Sequence, residues 1–159
     1  MQSRKRLLLL IALVALAIII AVILWQQKKD KAPAQTNENI GNIQVKAIEP
    51  GDVPGGLPEN LPIEPGSEVL QNYQATANGD RIQGTRKFTT KKPLASAIKT
   101  YTDFFKASAW VVVDEQNGDG YQTVLLRRND STVLVVVRED AAAKKNVVEI
   151  TLSETRKQK

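Results

Sequence analysis

Hydrophobic and polar residues follow three different patterns along this chain. From Leu7 to Trp25 every residue is apolar, whereas residues 29–58 are mostly polar and include four prolines and four glycines when Gly41 is counted. Beyond residue 58, short apolar stretches alternate with turn-forming residues. These patterns predict an N-terminal anchor over residues 1–28, a linker over 29–58, a globular domain over 59–153 and a polar tail over 154–159.

The apolar run has the length of a transmembrane helix. Nineteen helical residues at about 1.5 Å each extend about 28 Å, close to the roughly 30 Å hydrocarbon core of a bilayer. Arg4-Lys5-Arg6 precede Leu7–Trp25 and Lys28-Lys29 follow it, and Trp25 suits the membrane interface. We therefore predict that Leu7–Trp25 crosses a lipid bilayer once.

A cleavable signal peptide is the alternative interpretation of the same segment. Ala15-Leu16-Ala17 has the small-x-small pattern of a cleavage site, but cleavage there would leave the apolar strip from Ile18 to Trp25 exposed. An uncleaved signal anchor is therefore favoured. The basic residues flanking the run are nearly balanced. The free amine and the short leading segment favour an N-terminus inside and a C-terminal domain on the extracytoplasmic side.

The linker assignment leaves one alternative open. Residues 29–58 have the composition of a flexible tether, since they offer little apolar area to bury. Ile43–Ile48 alternates weakly between apolar and polar residues, which would also suit a short strand added to a sheet. We favour the extended linker.

The domain has the pattern of six strands and one helix. Asn78-Gly79 predicts a hairpin between the first two strands. The strands are predicted at Val69–Ala77, Arg81–Thr89, Trp110–Gln116, Tyr121–Arg128, Thr132–Glu139 and Val147–Ser153. Thr132–Glu139 is the most hydrophobic of the six, which favours a central position in the sheet.

Between the second and third strands, Pro93–Ala109 has helical periodicity. Apolar residues recur every three or four positions, whereas Lys99, Thr102, Asp103 and Lys106 are predicted to point away from the core. The order ββαββββ predicts an α+β fold in which an antiparallel sheet has one helix packed on one face.

Two short segments resemble a known group of proteins. Asn60–Val69 contains Leu-Pro followed by Pro-Gly, and Tyr101–Trp110 contains Phe-Phe followed by Ala-Trp. In these features the chain is similar to the small α+β domain of uncharacterised membrane-anchored bacterial envelope proteins and lipoproteins. Ala109 stands where that group has a helix-ending glycine, and Lys91-Lys92 stand where it has a Ser/Asp cap. The resemblance implies a tethered domain outside the cytoplasm and no catalytic residues.

Charge and composition exclude several functional classes. The net charge is +5, but residues 1–49 contain seven Lys/Arg and three Asp/Glu, whereas residues 50–159 contain fifteen and fourteen. A nearly neutral domain is not expected to bind nucleic acid. The chain has no Cys and no His, which excludes thiol catalysis, imidazole bases and Cys–His zinc sites. We predict no enzymatic activity and no cofactor.

Three short motifs imitate functional sites. Glu115–Gly120 resembles the start of a calcium loop, but Leu126 stands where a bidentate Glu is required, so a hairpin turn is favoured. Asn129–Ser131 is a formal glycosylation sequon that suits a turn equally well. Ser96 and Lys99 match Ser-x-x-Lys but lie inside a short helix without companion motifs. No catalytic, cofactor-binding or metal-binding residue is therefore predicted.

A cluster of basic residues is the remaining candidate surface. It comprises Arg81, Arg86, Lys87, Lys91 and Lys92, on the second predicted strand and the turn after it. These residues would suit contact with an anionic lipid or wall polymer, although a solvated strand face protected by lysines is the favoured alternative.

The sequence therefore favours a single-pass membrane protein that presents a small non-catalytic binding or structural domain on the extracytoplasmic side of the cell membrane. Its expected partners are the bilayer, through Leu7–Trp25, and another envelope protein or an anionic wall or lipid surface. An accessory subunit of a membrane-embedded secretion or pilus-type assembly is the alternative. Ala17 and Ala21 offer only a weak small-residue face for contacts between transmembrane helices.

Overall fold

A computed structural model describes residues 38–40, 42–78, 80–141 and 144–155. These residues form eight strands and one helix. The elements are β1 (Glu38–Ile40), β2 (Ile43–Ala47), β3 (Val69–Ala77), β4 (Arg81–Thr90), α1 (Leu94–Ala107), β5 (Val111–Gly118), β6 (Tyr121–Arg128), β7 (Ser131–Asp140) and β8 (Lys145–Thr155).

All eight strands belong to one antiparallel sheet in the order β1-β2-β3-β4-β8-β7-β6-β5. The predicted α+β class, with one helix on an antiparallel sheet, is confirmed, and the six predicted strands correspond to β3–β8. Strand β7 is interior as its hydrophobicity predicted, but the middle of the sheet is the pair β4–β8.

The linker prediction is wrong for residues 38–40 and 42–58, which belong to the domain. Strand β2 pairs with β3, with Val45 opposite Ala75, and β1 adds three further residues at the edge. The weakly alternating residues 43–47 form a strand because β3, at the edge of the sheet, supplies the backbone hydrogen-bond partners that a short added strand needs. The remainder of the predicted linker before residue 38, the predicted anchor over 1–28 and tail residues 156–159 lie outside the described residues. Among those that are described, no helix is long and apolar enough to cross a membrane.

Helix α1 packs across β5, β6 and β7 through the predicted apolar face. Tyr101 and Phe105 are fully buried, and the Phe105 ring meets the Trp110 ring edge-on with centroids 5.7 Å apart. Lys99, Asp103 and Lys106 are exposed as expected. The prediction for Thr102 is wrong: it is buried, because it borders the apolar stripe and burial extends further around the helix than the apolar residues do.

Residues Ile48–Glu68, here called the strap, cover the part of the same sheet face that α1 leaves free. Leu57 and Leu61 join the hydrophobic core. Gly84 of β4 lies directly beneath the strap, where an added Cβ would be 2.4 Å from the Gly55 carbonyl oxygen. The strap is therefore part of the domain, although its Gly/Pro-rich composition resembles that of a linker.

The C-terminus of α1 closes with a Schellman motif. The Trp110 N–H donates to the Phe105 carbonyl and the Ala109 N–H to the Lys106 carbonyl. Ala109 has a φ of +62°, the left-handed conformation that glycine usually supplies. Ala109 thus adopts the left-handed conformation that the resemblance leads one to expect from a glycine at this position.

Candidate binding face of the sheet

The sheet has one covered and one uncovered face. Strap and helix lie on the face to which Phe88 and Val148 point, and the residues between them along each strand point to the other side. We call this second side the open face. One row of cross-strand partners runs across its centre and comprises Tyr73, Thr85, Thr151, Leu134 and Leu125.

Apolar side chains are concentrated on the open face. Among the described residues, six large apolar side chains are exposed, namely Ile43, Leu70, Val111, Val113, Tyr121 and Leu134. The strand registers place four of them on the open face: Ile43, Val111, Tyr121 and Leu134. Leu134 is 39% exposed and lies opposite the half-buried Leu125. Leu134 and Leu125 therefore form a small apolar centre that no element of the described chain covers. Ile43, Val111 and Tyr121 lie towards the edges of the face, and Thr85 of the central row is fully buried.

Hydroxyl groups and one ion pair separate the apolar parts of this face. The Thr85 and Thr151 hydroxyl oxygens lie 3.1 Å apart, within hydrogen-bond distance. Lys87 Nζ lies 3.9 Å from a Glu149 carboxylate oxygen. A shallow groove of about 400 Å³ runs towards one end of the face, and its lining includes Ile43, Ala75, Ala77, Gln83, Thr132 and Ser153. Such a surface suits a broad contact better than the enclosure of a small ligand.

Cations surround the apolar centre of the open face. Arg81 and Arg127 lie on this side near the β3–β4 and β6–β7 turns, and Arg138 lies at the opposite end of the sheet. Three carboxylates also lie on this side, namely Glu149, which is paired with Lys87, Asp140, which lies opposite Lys145, and Asp114 at the β5 edge. The face can therefore bind a surface that combines apolar groups in its centre with acidic groups at its rim.

The predicted basic cluster is dispersed by the fold. Arg86 points under the strap, where its guanidinium donates to the Asp52 and Pro50 carbonyls at 3.2 and 2.7 Å. Burial lowers the pKa of Arg86 from its ordinary value. Lys87 points to the open face, and Lys91 and Lys92 follow the end of β4. The five residues therefore do not form one contact surface, and the correction follows from strand alternation together with the burial of Arg86.

The remaining motifs have structural roles in the described chain. Glu115–Gly118 belong to β5, and the next two residues form the β5–β6 turn, as the hairpin interpretation predicted. Asn129 and Asp130 form the β6–β7 turn, with Asn129 at a φ of +53°. Lys99 pairs with Asp103 at 2.5 Å on the exposed side of α1.

The potential metal ligands and ionisable side chains show no convergence in the described part of the chain. No group of three or more carboxylates there is arranged to hold a metal ion. Tyr101 is buried, and its hydroxyl donates to the Pro62 carbonyl at 3.1 Å. Burial and, secondarily, the nearby Glu64 carboxylate raise its pKa above the ordinary range. This hydroxyl links the helix to the strap.

The open face was not among the sequence-predicted sites, although the sequence contains a signal for it. Strands with one solvated face alternate between apolar and polar residues, whereas Val133–Val137 is apolar at every position. On its own, this pattern predicts an interior strand. It also places Leu134 and Val136 on the uncovered side.

In comparisons with protein-family models, curated proteins and solved structures, none matched this chain. The resemblance to envelope proteins therefore stays a prediction.

Proposed function

We propose that this chain is a single-pass membrane protein that presents a small, non-catalytic binding domain on the extracytoplasmic side, and that the open face binds another protein of the envelope. The observation that supports this proposal most directly is the exposed apolar centre of the open face. An uncovered apolar patch rimmed by polar residues is typical of a contact site.

The size of the open face supports a protein partner. The six long strands β3–β8 have eight to eleven residues each. With strands about 4.8 Å apart and a rise of about 3.4 Å per residue, they give a face of roughly 800 Å². A standard protein–protein interface buries about 800 Å² on each side. The open face is thus large enough for one specific partner.

The charges favour a partner that differs from a second copy of this chain. Arg81, Arg127 and Arg138 give the open face an excess of positive charge, so two copies placed face to face would be less complementary than an acidic partner. A partner with an apolar centre and acidic rim would be complementary. We expect such a partner to contact Leu134 and Thr151 at the centre of the face.

The anchor and its orientation are tested on the full chain in cells. After carbonate washing the protein should stay in the membrane fraction with its N-terminus intact. A reporter that is active only after export, fused after Lys159, should be active. A soluble form beginning at Ile18, or an active cytoplasmic reporter with a silent export reporter, would contradict the proposal.

The binding face is tested by photo-crosslinking in intact cells. A photoreactive residue in place of Leu134 should give one discrete adduct, whereas the same residue in place of Ser96, exposed on α1, should give none. Adding Thr151→Arg to the variant with the photoreactive residue at position 134 should abolish its adduct while the protein remains folded. Equal adducts from positions 134 and 96, or an adduct insensitive to Thr151→Arg, would contradict the assignment of the open face.

Extraction of the Thr151→Arg variant tests the accessory-subunit alternative. If the chain belongs to a membrane-embedded assembly through its apolar segment, extraction in mild detergent should preserve a stoichiometric complex. That complex should persist in the Thr151→Arg variant. Loss of the complex in this variant would favour binding through the open face.

A further inference from the structure

One end of the domain is more basic than the other. The β1–β2, β3–β4 and β6–β7 turns, the end of β8 and the C-terminus of α1 lie at one end, here called the lower end. The β5–β6 and β7–β8 turns, and the segment between β4 and α1, lie at the upper end. The two ends differ in the number of their charges and in the exposure of those charges.

The described lower end has four exposed cations and three carboxylates, two of which are half-buried. The cations are Arg81, Lys106, Arg127 and Arg128, and the carboxylates are Asp80, Asp130 and Glu154, of which Asp130 is exposed. The upper end has five of each sign: Lys91, Lys92, Arg138, Lys144 and Lys145 with Glu64, Glu68, Asp119, Glu139 and Asp140.

Two exposed apolar side chains accompany the cations at the lower end. Val111 is 64% exposed at the start of β5, and Ile43 is 42% exposed at the start of β2. Basic side chains flanking exposed aliphatic groups are the combination that anionic phospholipid surfaces attract, because headgroups bind the cations and the interface accepts the apolar groups.

The length of chain before the domain limits its distance from the predicted anchor. Twelve residues, 26–37, separate Trp25 from β1. Twelve residues extend at most about 40 Å, even with fully extended backbone geometry. The distance is reduced because the domain begins at β1, with residue 38, and not at residue 59. The predicted linker of thirty residues would have allowed a much larger one.

We infer that the lower end of the domain rests on the anionic phospholipid surface of the bilayer in which the chain is anchored. This inference rests on the proposed anchor. Arg81, Arg127, Ile43 and Val111 belong both to the lower end and to the margin of the open face, so the test below uses this chain without its partner. Each basic residue close to an anionic surface contributes about fivefold to the local binding equilibrium. Several such residues are sufficient to orient a domain that is already confined near the surface.

The absence of cysteine permits a direct test on the full chain in nanodiscs. Ser108→Cys places a fluorescent donor at the lower end and Ala141→Cys places one at the upper end; both positions are exposed. The acceptor is a headgroup-labelled lipid, and the bilayers contain phosphatidylcholine alone or with about a quarter of phosphatidylglycerol. In the anionic bilayers, energy transfer from position 108 should exceed that from position 141, and the difference should disappear at high salt.

Charge reversal supplies the matched controls. At the lower end, the triple variant Arg81→Glu, Lys106→Glu and Arg127→Glu should make the energy transfer from positions 108 and 141 equal. Arg128 is retained because it donates to the Ser108 carbonyl and lies over Trp110. At the upper end, the same change in charge is made by Lys91→Glu, Arg138→Glu and Lys144→Glu. This variant should keep the difference in energy transfer between positions 108 and 141.

Three results would overturn the inference. These are equal transfer from both positions in anionic bilayers, a difference that is the same without phosphatidylglycerol, and equal effects of the two charge reversals. Failure of the full chain to remain in the bilayer would overturn the proposed anchor as well. Stable anchoring with equal transfer would overturn this inference alone.

Discussion

One face of the sheet is covered in two ways, by α1 over β5–β7 and by the strap over β3, β4 and β8. The helix satisfies its own backbone hydrogen bonds and contributes rings to the core, with Tyr101 and Phe105 fully buried. The strap has no repeating structure, so its backbone groups find partners partly in its own turns, such as Leu57 N–H with the Pro54 carbonyl, and partly in the sheet. The half of this face under α1 is therefore stabilised mainly by apolar packing, and the half under the strap mainly by specific polar contacts.

Side chains of the sheet supply the polar contacts of the strap. The Asn72 amide donates to the Glu49 and Asp52 carbonyls at 2.6 and 2.9 Å, and Arg86 donates to Asp52 and Pro50. On the far side of Gly84, the Gln74 amide oxygen accepts from the Gly55 N–H at 2.9 Å. These contacts fix a particular path of the strap, whereas apolar packing alone would allow several.

The largest expected effect is on the helix side. Phe105→Ala removes a fully buried ring that packs edge-on against Phe104 and Trp110. The lost burial together with the cavity should lower the free energy of unfolding by about 3–5 kcal/mol, measured by chemical denaturation. Lys106→Ala, on the exposed side of α1, should change it by less than about 0.5 kcal/mol. If Phe105→Ala left the free energy of unfolding unchanged, apolar packing would not be what stabilises the half of the sheet under α1.

On the strap side, Arg86→Ala should be the most damaging single change. It leaves two strap carbonyls without their charged donor, and we expect a loss of about 2–3 kcal/mol. Hydrogen exchange of the Gly55 and Leu57 amides should accelerate more than that of the α1 amides. Lys87→Ala is the matched control, because this neighbouring residue points to the open face, where it forms a partly buried ion pair with Glu149 and does not contact the strap. Equal acceleration in both halves would show that the strap is not fixed separately.

This difference explains which parts of the fold could be predicted from sequence. Helix α1 and strands β3–β8 follow from periodicity, which depends on the geometry of each element alone. The strap does not, since its path depends on Asn72 and Arg86, which lie in strands distant in sequence, and its composition is that of a linker. Arg86 illustrates the problem: a basic residue in a strand was expected to be solvated, and only the fold shows that loop carbonyls surround it.

The open face was missed for a related physical reason. Strand patterns show which residues share a face, but which face another element will cover depends on where the connecting segments run. Val133–Val137 is apolar on both faces, and only the positions of α1 and the strap show that Leu134 stays uncovered.

A smaller effect is expected where the strap approaches the sheet most closely. Gly84→Ala would place a Cβ 2.4 Å from the Gly55 carbonyl oxygen and 3.2 Å from Pro54 Cβ. The strap must move outward, which we expect to cost about 1–3 kcal/mol in the free energy of unfolding. Gly51→Ala, where nothing lies within 4 Å of an added Cβ, is the control within the strap. If both variants had the same stability, the close approach of strap and sheet would be wrong.

The smallest expected effect is a gain in stability, and it concerns the end of α1. Ala109 adopts a φ of +62° because the Schellman hydrogen bonds and the Phe105–Trp110 contact hold it there. An L-residue in this conformation costs about 1–2 kcal/mol, and glycine avoids most of that cost but loses more entropy on folding. Ala109→Gly should therefore raise the free energy of unfolding by about 0.5–1 kcal/mol, measured as a higher denaturation midpoint. Ala107→Gly, two residues earlier in the last helical turn, should instead lower it by a similar amount. If both variants lost stability, the left-handed helix end would be contradicted; opposite signs would show that the helix half is fixed at its end by backbone geometry as well as by packing.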